Sequence, residues 1–302
     1  MHRHQPRRRV GFVVVAAGLL LLAACQIPGP EEDVQARAET TPQMIMAEPE
    51  PVPEPEPEPE PSPELWENPF SEAALLQSAQ IAHYSIYTFA EGRLYSNGDS
   101  PGMPSASVIK VFIMQYAYSL IGEGLLSEDD VIGWQTVRTL IERMIQQSDN
   151  IATNTLIDHF GMENLNQFFL AQGYTETVLQ RRMLDMDARA QGLDNYTSTG
   201  DTMAFLRRLY ENRLTFPYNE MLAIMEGQLI RTKIPSFLPF GTVVAHKTGE
   251  LYDVENDIGL VFTEDAVFAI VVLTEGVWNG EATRQAIGQL ALEAYLYVTA
   301  RG

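Results

Sequence analysis

The hydrophobic pattern changes its period three times after residue 80. Residues 83–97, HYSIYTFAEGRLYSN, are rich in aromatic and β-branched side chains, which predicts two strands joined by a turn at Glu91-Gly92. Helical spacing follows and predicts a helix from near Ser107, then further helices in TVRTLIERMI, IATNTLIDHF, ENLNQFFLAQ, GDTMAFLRRLYENR and NEMLAIMEGQLI. Strand-like apolar runs then return in TVVAHKTG, DIGLVFT and VFAIVVLTEG, and an amphipathic helix closes the chain in EATRQAIGQLALEAYLYVTA.

This order of elements predicts the architecture. Strands at both ends with helices between them indicate an α/β (α+β) fold, in which an antiparallel five-stranded sheet is flanked by helices and carries an inserted all-helical subdomain. A short helix is also expected in SEAALLQSA, with Ser71 as its N-cap. We assign residues 65–302 to this folded domain.

The first 24 residues predict a lipoprotein signal peptide. A basic start, MHRHQPRRR, precedes the uncharged run VGFVVVAAGLLLLAA, which is shorter than the roughly 20 residues that a bilayer span needs. The following LLAACQ resembles a bacterial lipobox and makes Cys25, the only cysteine, the predicted lipidation site. A plain cleavable signal and an uncleaved anchor are the alternatives.

Residues 25–64 predict an acidic, Pro/Glu-rich linker that stays extended and holds the domain clear of a membrane. The chain has a formal net charge of -20, and residues 31–67 contain twelve Asp or Glu against one basic residue, Arg37. Such acidity argues against a nucleic-acid partner, because phosphate would be repelled. From the signal peptide and Cys25 we expect a protein that is exported and lipid-anchored to the cell membrane or outer membrane, facing the periplasm or the cell exterior, and we expect it to be a monomer.

Three short motifs carry candidate chemistry. They are S-x-x-K at Ser107 to Lys110, S-D-N at Ser148 to Asn150, and K-T-G at Lys247 to Gly249. Each alone is a weak signal, and each has a structural reading in which serine caps a helix, lysine reaches the surface or the motif merely ends an element. The presence of all three, each at the end of a predicted element, favours a shared active site.

The motifs contain a nucleophile and the groups that could activate it. A serine hydroxyl needs a base, and Lys110 lies on the same helix face as Ser107. Lys247 would be the neighbouring cation that helps to keep Lys110 partly deprotonated. Ser148 would sit between the two lysines and pass a proton to the leaving nitrogen.

The remaining motif residues are candidates for substrate binding. Asn150 would accept from Lys110 or donate to substrate, Thr248 would bind a carboxylate, and Gly249 would permit close approach of the acyl group. Backbone N–H groups of Ser107 and Glu250 are the candidate oxyanion donors. We expect no cofactor and no metal, since the histidines lack metal spacing, and we expect His246 to be a packed neighbour of Lys247.

With these motifs, residues 70–300 resemble the class A β-lactamase-like serine hydrolases, a family related to penicillin-binding proteins. The resemblance implies a β-lactamase/transpeptidase-like fold and an acyl-enzyme at Ser107, with Lys110, Ser148 and Lys247 as catalytic residues. It implies hydrolysis of β-lactam amide bonds. The alternatives are a D,D-peptidase or acyltransferase acting on peptidoglycan peptides, and a catalytically silent envelope-binding lipoprotein.

The chain departs from the family at two points that concern function. The segment QRRMLDMDARAQGLDN lacks the family's Ω-loop glutamate, so Asp185 and Asp187 are the candidate deacylation bases, each one methylene shorter. Asp185 has a structural reading too, in which it binds a neighbouring backbone or pairs with Arg181 or Arg182. The family's arginine after K-T-G is also missing, because GELYDVENDIG holds only acidic charges.

Overall fold

The structure is a computed structural model, and it describes residues 68–98 and 100–301. The predicted signal peptide 1–24, Cys25 and the linker 25–64 lie outside the described residues, so these assignments stay predictions. Within the described ranges, none of the helices combines the length and apolarity that crossing a bilayer requires.

Nine strands occur in the described residues, four of them in two small ribbons. In chain order they are β1 Ile81–Thr88, β2 Arg93–Ser96, β3 Met103–Pro104, β4 Val131–Ile132, β5 Gln135–Thr136, β6 Tyr196–Thr197, β7 Val243–Leu251, β8 Val254–Phe262 and β9 Val267–Glu275. The main sheet has five antiparallel strands in the order β2-β1-β9-β8-β7. This confirms the predicted five-stranded sheet, and it makes β7 an edge strand.

The helices of the described residues fall mostly between the two groups of strands. They are α1 Lys110–Gly122, α2 Val137–Gln146, α3 Asn150–Phe160, α4 Met162–Ala171, α5 Met186–Ala190, α6 Thr199–Glu211, α7 Tyr218–Glu226 and α8 Gly280–Thr299. Side-chain caps fix several starts: Thr136 accepts from the N–H of Thr139, and Ser198 from that of Asp201. The inserted helical subdomain is therefore confirmed.

Two apolar layers cover the two faces of the sheet, which explains why β7 to β9 read as nearly continuous apolar runs. Ile287, Leu290 and Ala291 of α8 pack against one face. The other face supports the helical subdomain, whose central helix α1 is apolar almost all round and buries Phe112 and Met114 completely. The three motifs lie at the start of this central helix, at the start of α3 and on the edge strand β7.

One predicted helix is wrong. SEAALLQSA forms only a three-residue 3-10 turn at Leu75–Gln77, and the Ser71 hydroxyl accepts from the N–H of Ala73 instead of capping a helix. The 3-10 turn ends at Gln77 because the next residue, Ser78, is held in place: its hydroxyl lies 2.7 Å from the Thr283 hydroxyl on α8 and is hydrogen-bonded to it. After this contact the chain enters β1, which leaves no length for a second helical turn.

Candidate active site

The segment around Ser107 is held in a strained conformation. Ala106 has φ of 47°, a left-handed value that costs a non-glycine residue of order 1–3 kcal/mol. The preceding residue is fixed from two sides: the Ser105 N–H and hydroxyl donate to Asn195 O at 2.8 and 2.9 Å, and Asn256 Nδ2 donates to the Ser105 carbonyl at 3.3 Å. Surrounding contacts thus impose the strain, as at many functional sites.

Ser107 itself lies on a 3-10 turn, Ala106–Ile109, that leads directly into α1. The side chain is half-buried, and among the described residues its hydroxyl makes no hydrogen bond. The predicted contact between the Lys110 amine and this hydroxyl is therefore absent from the resting arrangement. The Ser107 hydroxyl remains free to meet an incoming carbonyl.

Lys110 is fully buried and points at the S-D-N turn. Its Nζ donates to Ser148 O at 2.8 Å, to Asn150 Oδ1 at 2.8 Å and to Ser148 Oγ at 3.2 Å. Three acceptors match the three N–H donors of an ammonium group, which explains why the amine faces away from Ser107. Burial lowers the pKa of Lys110 to about 7, although the nearby Asp149 carboxylate opposes this shift.

The S-D-N turn is also strained and well supported. Ser148 has φ of 56°, and Asp149 caps α3 by accepting from the N–H groups of Ile151 at 2.8 Å and Ala152 at 3.0 Å. Burial opposes ionisation of Asp149, but these hydrogen bonds and an ion pair with Arg143 hold the pKa of Asp149 below its usual value. The cap fixes the turn that presents Ser148.

Lys247 approaches the same turn from strand β7. Its fully buried Nζ donates to Ser148 Oγ at 3.0 Å and to Thr248 O at 2.9 Å. Burial lowers the pKa of Lys247 well below its usual value, and the positive charge of Lys110 lowers it further. The Ser148 hydroxyl therefore bridges two amines that both favour losing a proton, and this bridge can carry a proton between them.

Gly249 has a packing role beside the binding role that the sequence suggests for it. A Cβ at this position would lie 2.8 Å from Ser105 O and 3.2 Å from the Cβ of Ala106. The segment Ser105–Ala106, directly before Ser107, therefore packs closely against Gly249; we call this segment, together with Ser107, the nucleophile segment after the predicted role of Ser107. Thr248 next to it is buried and Glu250 is exposed.

The segment 181–194, which we call the Ω segment, carries both candidate deacylation bases. Asp185 and Asp187 are exposed. Asp185 Oδ1 accepts from the N–H of Ala188 at 2.9 Å, which caps α5 and agrees with the backbone-binding reading. The alternative pairing with Arg181 or Arg182 is wrong, because Arg181 binds Asp194 at 2.7 Å and Arg182 binds Asp158 at 2.8 Å.

The Ω segment and the residue that follows it contact parts of the chain that lie next to all three motifs. Asn195, the residue directly after it, accepts the two hydrogen bonds from Ser105 already described. Asn154 on α3 exchanges two hydrogen bonds with the Met183 backbone, at 3.0 and 2.8 Å. Arg189 binds Asp253, in the turn after β7, at 2.8 Å, and it stacks over the Tyr252 ring. These long-range contacts have no short sequence signature.

Two further buried groups support the K-T-G strand. His246 is fully buried, as predicted, with Nδ1 3.1 Å from Asp257 Oδ1. Lys233, which no motif marks, is also fully buried and donates to Gly249 O at 2.9 Å. Among the described residues no cluster of three or more His, Cys, Asp or Glu is placed to hold a metal ion.

The fold and the site together define a class of protein: a serine hydrolase with a β-lactamase/transpeptidase-like fold. The sequence profile of the family described as "Beta-lactamase enzyme family" matches residues 72–298, and the chain belongs to this family. A curated "Beta-lactamase" from Bacteroides uniformis is 28% identical over 143 residues, covering 43% of this chain and 48% of that protein. "Extended-spectrum beta-lactamase PER-1" from Pseudomonas aeruginosa is 24% identical over 175 residues, covering 53% of this chain and 56% of that protein. The matches thus span about half the length of these curated relatives.

Solved structures match over a larger share of the chain. PBP-A superposes with a TM-score of 0.67 at 22% identity, covering 76% of this chain and 95% of that one. The β-lactamase from Sphaerobacter thermophilus superposes with a TM-score of 0.66 at 24% identity, covering 76% and 96%. A PBP-A mutant solved as an acyl-enzyme complex with penicillin G superposes with a TM-score of 0.67 at 22% sequence identity, covering 76% of this chain and 96% of that one. These likenesses establish the shared fold.

Proposed function

We propose that this protein is a serine acyl-transfer hydrolase that opens β-lactam amide bonds through an acyl-enzyme at Ser107. The observation that carries the proposal is the Ser148 hydroxyl, whose Oγ lies 3.2 Å from Lys110 Nζ and 3.0 Å from Lys247 Nζ. A base and a proton donor thereby meet at one hydroxyl, and the proposed nucleophile, Ser107, lies three residues before Lys110 on the turn that leads into α1. Family membership supports the same reaction class.

Acylation begins with a proton leaving Ser107. A pKa of about 7 leaves roughly half of the Lys110 amines neutral at neutral pH. A neutral amine has two N–H donors and one lone pair, so it must release one of its three present acceptors and can then accept from the Ser107 hydroxyl. The Ser107 Oγ–carbon bond forms as the lactam C–N bond breaks.

The proton returns to the leaving nitrogen through Ser148. Its hydroxyl would donate to that nitrogen and recover a proton from the protonated lysine beside it, so that no net proton is gained or lost. The backbone N–H groups of Ser107 and Glu250 are the proposed oxyanion donors, and loss of one such donor typically costs a factor of about 10² to 10³. The free edge of β7 offers backbone groups to pair with a substrate amide.

Deacylation is the slow half of the proposed cycle. Glutamate does not occur between Glu176 and Glu211, and the Asp185 carboxylate is occupied in capping α5. Asp187 is the remaining candidate base in the Ω segment. These facts favour a long-lived acyl-enzyme, and they give weight to a second candidate function: a D,D-peptidase or acyltransferase acting on peptidoglycan peptides.

Location follows from the N-terminal sequence. We propose that Cys25 carries the lipid anchor and that the linker 25–64 holds the domain away from the membrane on the exported side. Either proposed substrate class, β-lactams or wall peptides, would be met there.

Intact-mass analysis with penicillin G tests the proposal. We expect one covalent adduct on the wild-type domain, no adduct on Ser107→Ala, and an unchanged adduct on the matched control Ser71→Ala. A transient adduct with product release supports β-lactam hydrolysis, whereas a lasting adduct supports the peptidase. Absence of an adduct on the wild type, at neutral and alkaline pH, would contradict both functions and favour the silent lipoprotein.

A further inference from the structure

A buried carboxylate lies beside the K-T-G strand and has no part in the steps described so far. Asp257, on β8, is fully buried and is the cross-strand partner of Thr248, the residue after Lys247. Its Oδ1 and Oδ2 lie 3.1 and 3.2 Å from Nδ1 of His246, the residue before Lys247. The carboxylate is thus placed beside both chain neighbours of Lys247.

Several contacts hold the Asp257 carboxylate in this position. Its Oδ2 accepts from the N–H of Ile234 at 3.0 Å, and its Oδ1 accepts from the N–H of Ile258 at 3.1 Å. The His246 ring has room beside it because the cross-strand partner of His246 is Gly259, where a Cβ would lie 2.7 Å from the Cβ of His246. We assign the Nδ1–H tautomer to His246, since the carboxylate that faces this nitrogen can only accept.

The negative charge of Asp257 is not neutralised by a lysine or an arginine. Within the ranges that the structure describes, neither residue type forms an ion pair with Asp257, and His246 is its one side-chain partner. Lys233, the residue before Ile234, is paired instead with Glu255 at 2.6 Å. The charge of Asp257 is therefore available to act on Lys247.

Each of the two amines that meet at the S-D-N turn has a carboxylate of its own. Burial and the charge of Lys110 lower the pKa of Lys247, Asp257 raises it, and Lys233 lowers it. Burial also lowers the pKa of Lys110, and Asp149 opposes this effect. The two carboxylates stand on separate elements, one on the turn before α3 and the other on β8, so their effects on the two amines can be separated.

We propose that Asp257 is a positioning residue of the active site: its buried charge acts through Lys247 and keeps that amine in the ammonium form. This inference rests on the proposed function, in which Ser148 gives a proton to the leaving nitrogen. Lys247 Nζ donates to Ser148 Oγ at 3.0 Å, so the ammonium form can replace that proton. An N–H bond of Lys247 breaks as the Ser148 hydroxyl is restored, and the proton that Lys110 took from Ser107 then passes across Ser148 to Lys247.

Loss of the Asp257 charge should have the opposite effect from a loosening of the core. In Asp257→Asn the charges of Lys110 and Lys233 act unopposed, which should lower the pH at which half of the Lys247 amine is deprotonated. A looser, wetter site would raise this midpoint towards the ordinary value of a lysine, because burial is the largest cause of the low pKa of Lys247. Asparagine can still accept from Ile234 and can donate to His246 in its other tautomer, so the fold should tolerate it.

The lysine content of the chain makes this midpoint measurable. The only lysines are Lys110, Lys233 and Lys247, all fully buried, so lysine labelled with 13C at Cε gives three NMR signals, which Lys110→Met and Lys247→Met assign. In Asp257→Asn we expect the Lys247 midpoint to fall by about one pH unit and the Lys110 midpoint not to fall. Asp149→Asn is the matched control: asparagine keeps the cap of α3, and here the Lys110 midpoint should fall.

Acylation by penicillin G gives the functional readout. Asp257→Asn should form the adduct about threefold or more slowly than the wild type at pH 8, and at nearly the same rate at pH 6, where Lys247 regains its proton. Asp257→Ser, which also removes the charge, takes the place of Asp257→Asn where the latter does not fold.

Two results would overturn the inference while acylation stands: a Lys247 midpoint that is unchanged or raised in the charge-removing variant, or a ratio of wild-type to variant rate that is the same at pH 6 and pH 8. Absence of an adduct on Ser107 of the wild type overturns the inference together with the proposed function.

Discussion

Lys247 and Ser148 are 99 positions apart in the chain, yet Lys247 Nζ donates to Ser148 Oγ across 3.0 Å. One residue stands on the edge strand of the sheet and the other on a strained turn between two helices of the inserted subdomain. The contact therefore exists only when both parts of the fold are assembled. It links the second lysine to the Lys110 network and makes the protonation of the two amines interdependent.

The rate of acylation should increase with pH through about 7. The neutral form of Lys110 is the base, and burial lowers the pKa of this lysine to about 7. Below that pH the amine is protonated, so the rate of penicillin G adduct formation should fall up to tenfold per pH unit and level off above about pH 8. Intact-mass analysis of reactions quenched at successive times measures the rate of adduct formation at each pH. Ser107→Ala is the control for adducts formed on other residues. A rate that is flat or decreases from pH 6 to 8 would contradict Lys110 as the base.

Folding stability should increase with pH in the alkaline range. The pKa of Lys110 is lower in the folded chain than in the unfolded one, so between about pH 7 and pH 10 the unfolded state binds more protons. Each such group adds up to about 1.4 kcal/mol per pH unit to the free energy of unfolding, and below pH 7 its contribution is constant. Urea titrations at pH 7 and pH 9 measure the slope, which Lys110→Met should reduce. Equal slopes in both proteins would show that Lys110 is not shifted.

Gly249→Ala should damage both stability and acylation. The added Cβ would lie 2.8 Å from the Ser105 carbonyl, which is backbone and cannot turn away, so the strand or the nucleophile segment must move. We expect a loss of about 1–3 kcal/mol in the free energy of unfolding and a fall of about 10² in acylation rate. Gly200→Ala is the matched control, since its Cβ would meet Ser198 Oγ at an ordinary 3.7 Å. Near-normal acylation by Gly249→Ala would refute the close packing.

Arg189 should couple energetically to Asp253. The two side chains are 14% and 23% exposed, which favours a measurable ion pair. A double-mutant cycle with Arg189→Gln and Asp253→Asn should give a coupling of about 1 kcal/mol in unfolding free energy, and either single variant should slow acylation several-fold by loosening the Ω segment. The pair Arg182–Asp158, exposed by 49% and 55%, is the control and should show almost no coupling. Equal coupling energies in the two cycles would show that the Arg189–Asp253 ion pair contributes no more to stability than an exposed ion pair does.

Asp187→Asn should leave adduct formation unchanged and prolong the life of the adduct. Asp187 is exposed in the first turn of α5, and it is the candidate base whose carboxylate is not used as a helix cap. The decay of the penicillin G adduct, followed by intact mass after removal of free drug, measures its role. Asp185→Asn is the companion variant, because asparagine also caps helices and should preserve the loop. Identical adduct lifetimes in the wild type and Asp187→Asn would exclude this aspartate from deacylation.

Much of the fold was predictable because local patterns decide it. The strand runs and the helical periods are each contained within about 20 consecutive residues, and they lead to the five-stranded sheet with its helical insertion. The sequence also indicated that Lys110, Ser148, Asn150 and Lys247 meet, since each motif sits at an element end. The failure at SEAALLQSA has a tertiary cause, the bond between Ser78 and Thr283, which local spacing does not encode.

The direction of Lys110 could not be predicted from its position on the helix. Spacing places it over Ser107, but three acceptors on a turn that starts 38 residues later draw its amine away. The ion pair between Lys233 and Glu255, 2.6 Å apart, and the contact of Arg189 with Asp253 arise in the same way, from partners that only the folded chain brings together. Side-chain partners at long range are thus the part of the site that sequence patterns leave open.

The most direct test is to find which residue carries the penicillin G adduct. Wild-type protein treated with penicillin G and digested should yield a single modified peptide, the one that contains Ser107, at close to one adduct per chain, and fragmentation should place the added mass on that serine. Labelling at another residue, or labelling of the Ser107→Ala protein to the same extent, would contradict the claim that this serine is the nucleophile.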